Sequence, residues 1–163
     1  MSAPRNAASY WLWKSEPDTF GFDRLEREGR TEWSGVRNFQ ARNLMKAMRL
    51  GDLGFFYHSS TKEPGIAGIG RVVREAYPDF TALDPKSDYY DRKASPEKPI
   101  WEMVDVAFER RLPRYVTLAE LRQNLELATT MALLRKGQRL SVLPVTKREW
   151  GIVLDIAERT PSR

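Results

Sequence analysis

Leu53-Gly54-Phe55-Phe56-Tyr57-His58, then Ile66-Ala67-Gly68-Ile69-Gly70-Arg71-Val72-Val73 after a short polar break, is the stretch that decides the fold. The first run is apolar and aromatic and follows a Gly51-Asp52 turn, so it reads as a strand. The second reads as a strand broken by Gly68 and Gly70, and glycines inside a strand mark a bend, a bulge or a close approach. Working outward, Tyr10 to Trp13 is a short aromatic strand. Ile100 to Phe108 is a longer one, with Val104, Val106 and Phe108 on one face. Leu140 to Val145 is a short strand whose Pro144 suits an edge or a bulge.

Helices fall between these strands. Phe22 to Glu28 forms a short one stopped by Gly29. Ala41, Leu44, Met45 and Met48 make one buried stripe at helical spacing, flanked by Arg42, Lys46 and Arg49. Thr117 and Glu120 form a capping box for a helix carrying Leu118, Leu121 and Leu125, and Thr146 and Glu149 form a second. The last helix buries Trp150, Val153, Leu154 and Ala157. About five short strands without a regular βαβ rhythm argue for an α+β fold, a small mixed sheet or barrel decorated with helices. Pro78 to Pro99 carries enough aromatic residues to predict a long loop packed onto the domain.

With 163 residues, one domain is expected. The boundaries are a disordered tail over 1–9, a domain over 10–157 and a C-terminal tail over 158–163. Residues 1–9 lack the apolar core of a secretory signal, and no apolar run approaches the ~20 residues of a membrane span, so a cytoplasmic protein with no membrane partner is expected. Cysteine is absent and His58 is the one histidine, which removes disulfides, thiolate zinc sites and multi-histidine metal sites. No metal and no cofactor are implied. His58 and Ser59, adjacent at a strand end, point to opposite faces and cannot work as base and nucleophile. No phosphate-binding loop or nucleophile elbow appears, so no catalytic residue is assigned and the protein is not expected to be an enzyme.

The net charge of +5 suits an anionic partner. Trp33 to Gly51 holds no acid but has Arg37, Arg42, Lys46 and Arg49. Leu127 to Arg148 holds none either, with Arg135, Lys136, Arg139, Lys147 and Arg148. Five tryptophans are many for this length. Trp11 and Trp13 flank Leu12 and share a face, and Trp101 and Trp150 read as packing residues. Trp33 differs: it lies among polar neighbours and leads into Gly35-Val36-Arg37-Asn38, where an aromatic face beside an amide can grip a planar polar ring.

Trp13-Lys14-Ser15-Glu16-Pro17, Trp33-Ser34-Gly35-Val36-Arg37-Asn38, Ala41-Arg42-Asn43 and Gly51-Asp52 resemble EVE-domain motifs. So, in the same order, do Phe56-Tyr57-His58-Ser59, Ile66-Ala67-Gly68, Ala76-Tyr77-Pro78-Asp79 and Arg139-Leu140-Ser141-Val142. The resemblance runs from about Tyr10 to Ile156. It implies a PUA-like barrel, related to YTH domains, that holds a flipped and modified base of DNA or RNA, modified cytosine being the favoured proposal. Carried onto this chain, it implies a pocket of Trp33, Asn38, Tyr57, His58, Ser59, Ser141 and Pro144, with Lys14, Arg37 and Arg42 reaching phosphates. Phe39 stands where relatives often carry Tyr, and Leu143 where they often carry Gln. Any downstream output is expected to need a separate effector protein. Two alternatives stay open: a sensor binding a free nucleobase or nucleoside in the same pocket, and an adaptor that binds only protein.

Overall fold

The computed structural model describes residues 8–160. Among them six strands pair into one sheet: β1 (Tyr10–Ser15), β2 (Arg30–Glu32), β3 (Leu53–His58), β4 (Gly65–Pro78), β5 (Glu102–Thr117) and β6 (Val142–Val145). Their order is β2-β5-β4-β3-β1-β6. β1 and β3 run parallel, and every other pair is antiparallel. The helices are α1 (Pro17–Phe20), α2 (Phe22–Glu28), α3 (Phe39–Ala47), α4 (Leu118–Gln123), α5 (Leu125–Thr130) and α6 (Lys147–Glu158).

Alternation along β1 and β3 sorts their side chains into two buried layers. Leu12, Phe55 and Tyr57 join Leu121, Leu127, Trp150 and Val153 on the face covered by α4, α5 and α6. Phe55 stacks on Trp150 with ring centroids 3.9 Å apart. Trp11, Trp13 and Phe56 point the other way, towards Phe22 and Leu25 of α2 and Ala41 and Met45 of α3. Both faces of the sheet are therefore apolar and covered. Buried Asp52 ties the start of β1 to the turn before β3, accepting the Trp11 indole N–H at 2.9 Å.

The strand glycines mark close approaches, as expected. A Cβ at Gly54 would meet the Trp13 ring, and one at Gly68 would meet Phe22. α3 packs against β4, β5 and β6. β5 and β6 stand near opposite ends of the strand order, so the sheet must curl around that helix. It does not close, because β2 and β6 remain its two edges.

Some elements differ from the sequence expectation. β2 was not foreseen, and β4 and β5 run well past Val73 and Phe108. The helix expected through Leu125 breaks at Asn124, whose side chain caps α5 and leaves Leu125 exposed. Residues 1–7 and 161–163 of the expected tails lie outside the described residues. Ser9, assigned to the N-terminal tail, donates its backbone N–H to Asp52, and α6 reaches Glu158. The loop after Asp79 packs down as expected: Asp91 accepts the Trp101 indole N–H at 2.8 Å, and the Asp91 backbone N–H donates to Ala82.

Candidate functional site

A cavity of about 570 Å³ opens where the C-terminal end of β1 meets α1, the start of α2 and the segment after β2. Three backbone hydrogen bonds build it. The Ser59 N–H donates to the Ser15 carbonyl at 2.9 Å, and the Lys14 N–H to the Ser141 carbonyl at 2.8 Å. These place Ser59 and Ser141 on the two sides of the β1 end. The Trp33 N–H donates to Val104 at 2.7 Å and holds the next wall against β5. The Ser15 hydroxyl donates to the Phe20 carbonyl at 2.6 Å and fixes the turn between α1 and α2.

Gly35 lies in that wall with φ at 84°. Only glycine adopts this conformation freely, and the Tyr89 ring fills the place a Cβ would take. The Gly35 N–H donates to Asp79 at 2.8 Å. Asp79 is fully buried and also accepts from Arg37 at 3.0 Å and from the Thr81 N–H at 2.8 Å. Burial alone would push its carboxyl up, but the hydrogen bonds from Thr81, Gly35 and Arg37 outweigh that and hold it below the usual range.

Phe20, Trp33 and Tyr89 give the cavity aromatic surface. Trp33 is only 8% exposed, because its ring packs on Trp13 at 6.0 Å and edge-on to Phe56 at 5.5 Å. Tyr89 is 44% exposed and sits at the mouth. Lys14, Arg24 and Arg139 bring positive charge, and Glu16 and Glu32 bring negative charge. Burial pushes the Lys14 ammonium down. The site thus offers both donors and acceptors beside flat apolar surface.

Of the residues singled out from sequence, Trp33, Ser59, Ser141 and Lys14 meet on this cavity. The other six stand elsewhere. Tyr57 points into the opposite layer, beside Leu12 and Ile66, where burial pushes its phenol up. His58 accepts the Phe22 N–H on Nε2 at 3.1 Å and caps α2. Asn38 is exposed and caps α3 by accepting the Ala41 N–H. Pro144 lies exposed on the β6 edge opposite Trp11. Arg37 is held by Asp79, Thr81 and the Tyr89 carbonyl, and Arg42 donates to the Ile100 carbonyl at 2.9 Å. Leu143 is buried in the layer with Leu12, and Phe39 stacks on Trp101, so neither departure touches the cavity wall.

Sequence reasoning missed Phe20, Arg24, Tyr89 and Arg139 on the cavity. Arg139 was detectable, because it lies two residues before Ser141 inside the second acid-free window. Arg24 carries no such signal; only the docking of α2 brings it in. Among the described residues, no group of three or more His, Asp or Glu side chains is placed to share a metal ion, and no helix is long and apolar enough to cross a membrane.

Residues 9–156 match the EVE domain family. The chain belongs to that family. This EVE domain is 42% identical to human thymocyte nuclear protein 1 across 97% of its own length and 78% of that protein. A crystal structure of a Pseudomonas putida protein is 50% identical, with a TM-score of 0.88 over 91% of this chain and 99% of that one. The human THYN1 protein, solved in complex with DNA containing 5-methylcytosine, is 41% identical, with a TM-score of 0.87 over 94% of this chain and all of that one. The α+β architecture is thus the PUA-like fold of solved EVE relatives, with an unclosed sheet.

Proposed function

We propose that this EVE domain acts by binding, not by chemistry, and holds an extruded, modified base of DNA in the cavity lined by Trp33, Ser59 and Ser141. Modified cytosine is the first candidate. The observation that carries this reading is the chain-wide similarity to the human THYN1 protein, solved with 5-methylcytosine DNA, at a site whose cavity fits a base. Its 570 Å³ lies within the range of small-ligand sites.

The chemistry agrees with that ligand. Cytosine presents an amino donor beside ring acceptors. Glu16 or Glu32 accepts from the amino group, and Ser59, Ser141 and Lys14 donate to the acceptors. Flipping the base costs a few kcal/mol. Contact with Phe20, Trp33 or Tyr89 returns ~1–3 kcal/mol, and burying the methyl group adds about 0.8 kcal/mol. Phosphate contacts from Arg24 and Arg139 supply the rest and make binding sensitive to salt.

A second reading, the sensor of a free nucleobase or nucleoside, draws support from Arg37 and Arg42. Both are spent on protein acceptors, which leaves fewer cations for phosphates. One titration separates the readings: a duplex with a single 5-methylcytosine, its unmodified twin and the free nucleoside, each at 50 and 200 mM salt. The reader binds the methylated duplex about fourfold tighter than its twin, as one buried methyl requires, and loses that duplex steeply in salt. Equal affinity for both duplexes, with salt-independent nucleoside binding, would support the sensor instead.

A further inference from the structure

Outside the cavity lies a run of rings and guanidinium groups that the base pocket does not use. Phe39, at the first position of α3, is 58% exposed, although it is a large apolar side chain. Its inner face stacks on Trp101 at 4.8 Å with an interplanar angle of 22°. The Arg42 guanidinium lies over the Phe39 ring at 4.9 Å. Arg37 lies 5.4 Å from the Trp101 ring and 5.7 Å from the Tyr89 ring. Tyr89 in turn lines the cavity. Tyr89, Arg37, Trp101 and Phe39 therefore form one run of stacked contacts leading away from the cavity mouth.

This path is held rigid. Trp101 is nearly buried, and its indole N–H donates to Asp91 at 2.8 Å. Ile100 has φ at 65°, a conformation that a β-branched residue adopts only under constraint. The Trp101 N–H closes a tight turn onto the Pro99 carbonyl at 2.6 Å, and Arg42 donates to the Ile100 carbonyl. Strain of this kind persists where the surroundings fix it. Here it holds Trp101 flat against Phe39, whose ring is fixed in place while still 58% exposed.

We infer that Phe39 is a stacking platform for a second nucleobase, the neighbour in the same strand of the base held in the cavity. Bases stack on exposed aromatic side chains regardless of sequence. The inference rests on the proposed base-binding role and extends it to a second nucleotide.

The test compares 5-methyl-2′-deoxycytidine with a short single strand carrying one 5-methylcytosine, each titrated against wild type, Phe39→Leu, Phe39→Trp and Ser59→Ala. Phe39→Leu keeps the bulk and loses the π-face. It should weaken strand binding about tenfold and leave nucleoside binding unchanged, while Phe39→Trp binds the strand at least as well as wild type. Ser59→Ala should weaken both ligands. Wild-type strand affinity in Phe39→Leu, with Ser59→Ala still impaired, overturns the platform and leaves the base pocket standing. No binding of either ligand to wild type overturns both.

Discussion

Trp33 is both a wall of the cavity and part of the core, packed on Trp13 and Phe56. Trp33→Ala therefore tests folding and binding together, and its expected cost is about 3–5 kcal/mol of stability. Ser59 and Ser141 separate the two. Both line the cavity, and neither hydroxyl is tied to another side chain among the described residues. Ser59→Ala and Ser141→Ala should each leave stability within ~0.5 kcal/mol of wild type. Each should weaken the methylated ligand about 2- to 12-fold, the worth of one hydrogen bond. Thermal unfolding and a binding titration on the same samples check this; unchanged affinity in the double variant would take both hydroxyls off the base edge. The family resemblance put Trp33, Ser59 and Ser141 on one pocket together with Tyr57, and the structure turns Tyr57 into the opposite layer. In a continuous strand Tyr57 and Ser59 would share a face, but β3 ends at His58: Tyr57 stays in the sheet and Ser59 has left it.

Elements with a local signature were legible in the sequence. The α2 stop at Gly29, the α3 stripe and both capping boxes depend on neighbours within four residues, and all four are present. β2 has no such signature: Arg30, Thr31 and Glu32 form a strand only because β5 pairs with them. The arm of β4 past Val73 carries Arg74 and Glu75 and is a strand because it pairs with the start of β5, and the arm of β5 past Phe108 carries Arg110 and Arg111 and pairs with the first half of β4. α2 is stabilised by a distant cap too, since His58 Nε2 accepts the Phe22 N–H. Burial pushes the His58 pKa down, against the opposing charge of Asp23. An imidazole depressed in the fold stabilises the protein above its ordinary value of 6.5 and loses that contribution as pH falls below it. The neighbouring rings of Phe56 and Tyr115 supply no compensating charge at these pH values. Acidification from pH 7.5 to 5.5 should therefore lower the urea midpoint of wild type. His58→Gln, whose amide oxygen still accepts a hydrogen bond but does not titrate, should flatten that slope; equal slopes in both proteins would remove His58 from the account.

At the scale of the whole molecule, the cavity depends on segments far apart in the chain. The post-β2 wall and the loop after β4 are joined by one buried carboxylate, Asp79, which accepts from Gly35, Arg37 and Thr81. Gly35 and Arg37 lie 44 and 42 positions from Asp79 in the chain, which is why the link was not legible beforehand. Asp79 itself is absent from the cavity lining, so a binding effect of changing it must act through the wall. Asp79→Asn keeps one acceptor oxygen for Gly35 or Thr81 but removes the charge that pairs with Arg37. Losing a charged hydrogen bond of this kind costs about 1.5–3 kcal/mol. The Arg37 guanidinium and the Tyr89 carbonyl it holds should then loosen, and with them the Tyr89 ring over Gly35. The expected result is faster amide exchange at Gly35 and Thr81, a lower Tm and weaker binding of the methylated base, while the amides of the α6 layer on the opposite face keep their relative protection. Because the Asp79 carboxyl is depressed in the fold, its contribution is present above the ordinary value of 3.8 and lost as pH falls through the lower folded value. The wild-type advantage over Asp79→Asn should accordingly be full at neutral pH and shrink only in strong acid. A variant that unfolds like wild type at pH 7, with unaltered exchange at Gly35, would show that the cavity wall stands without this link.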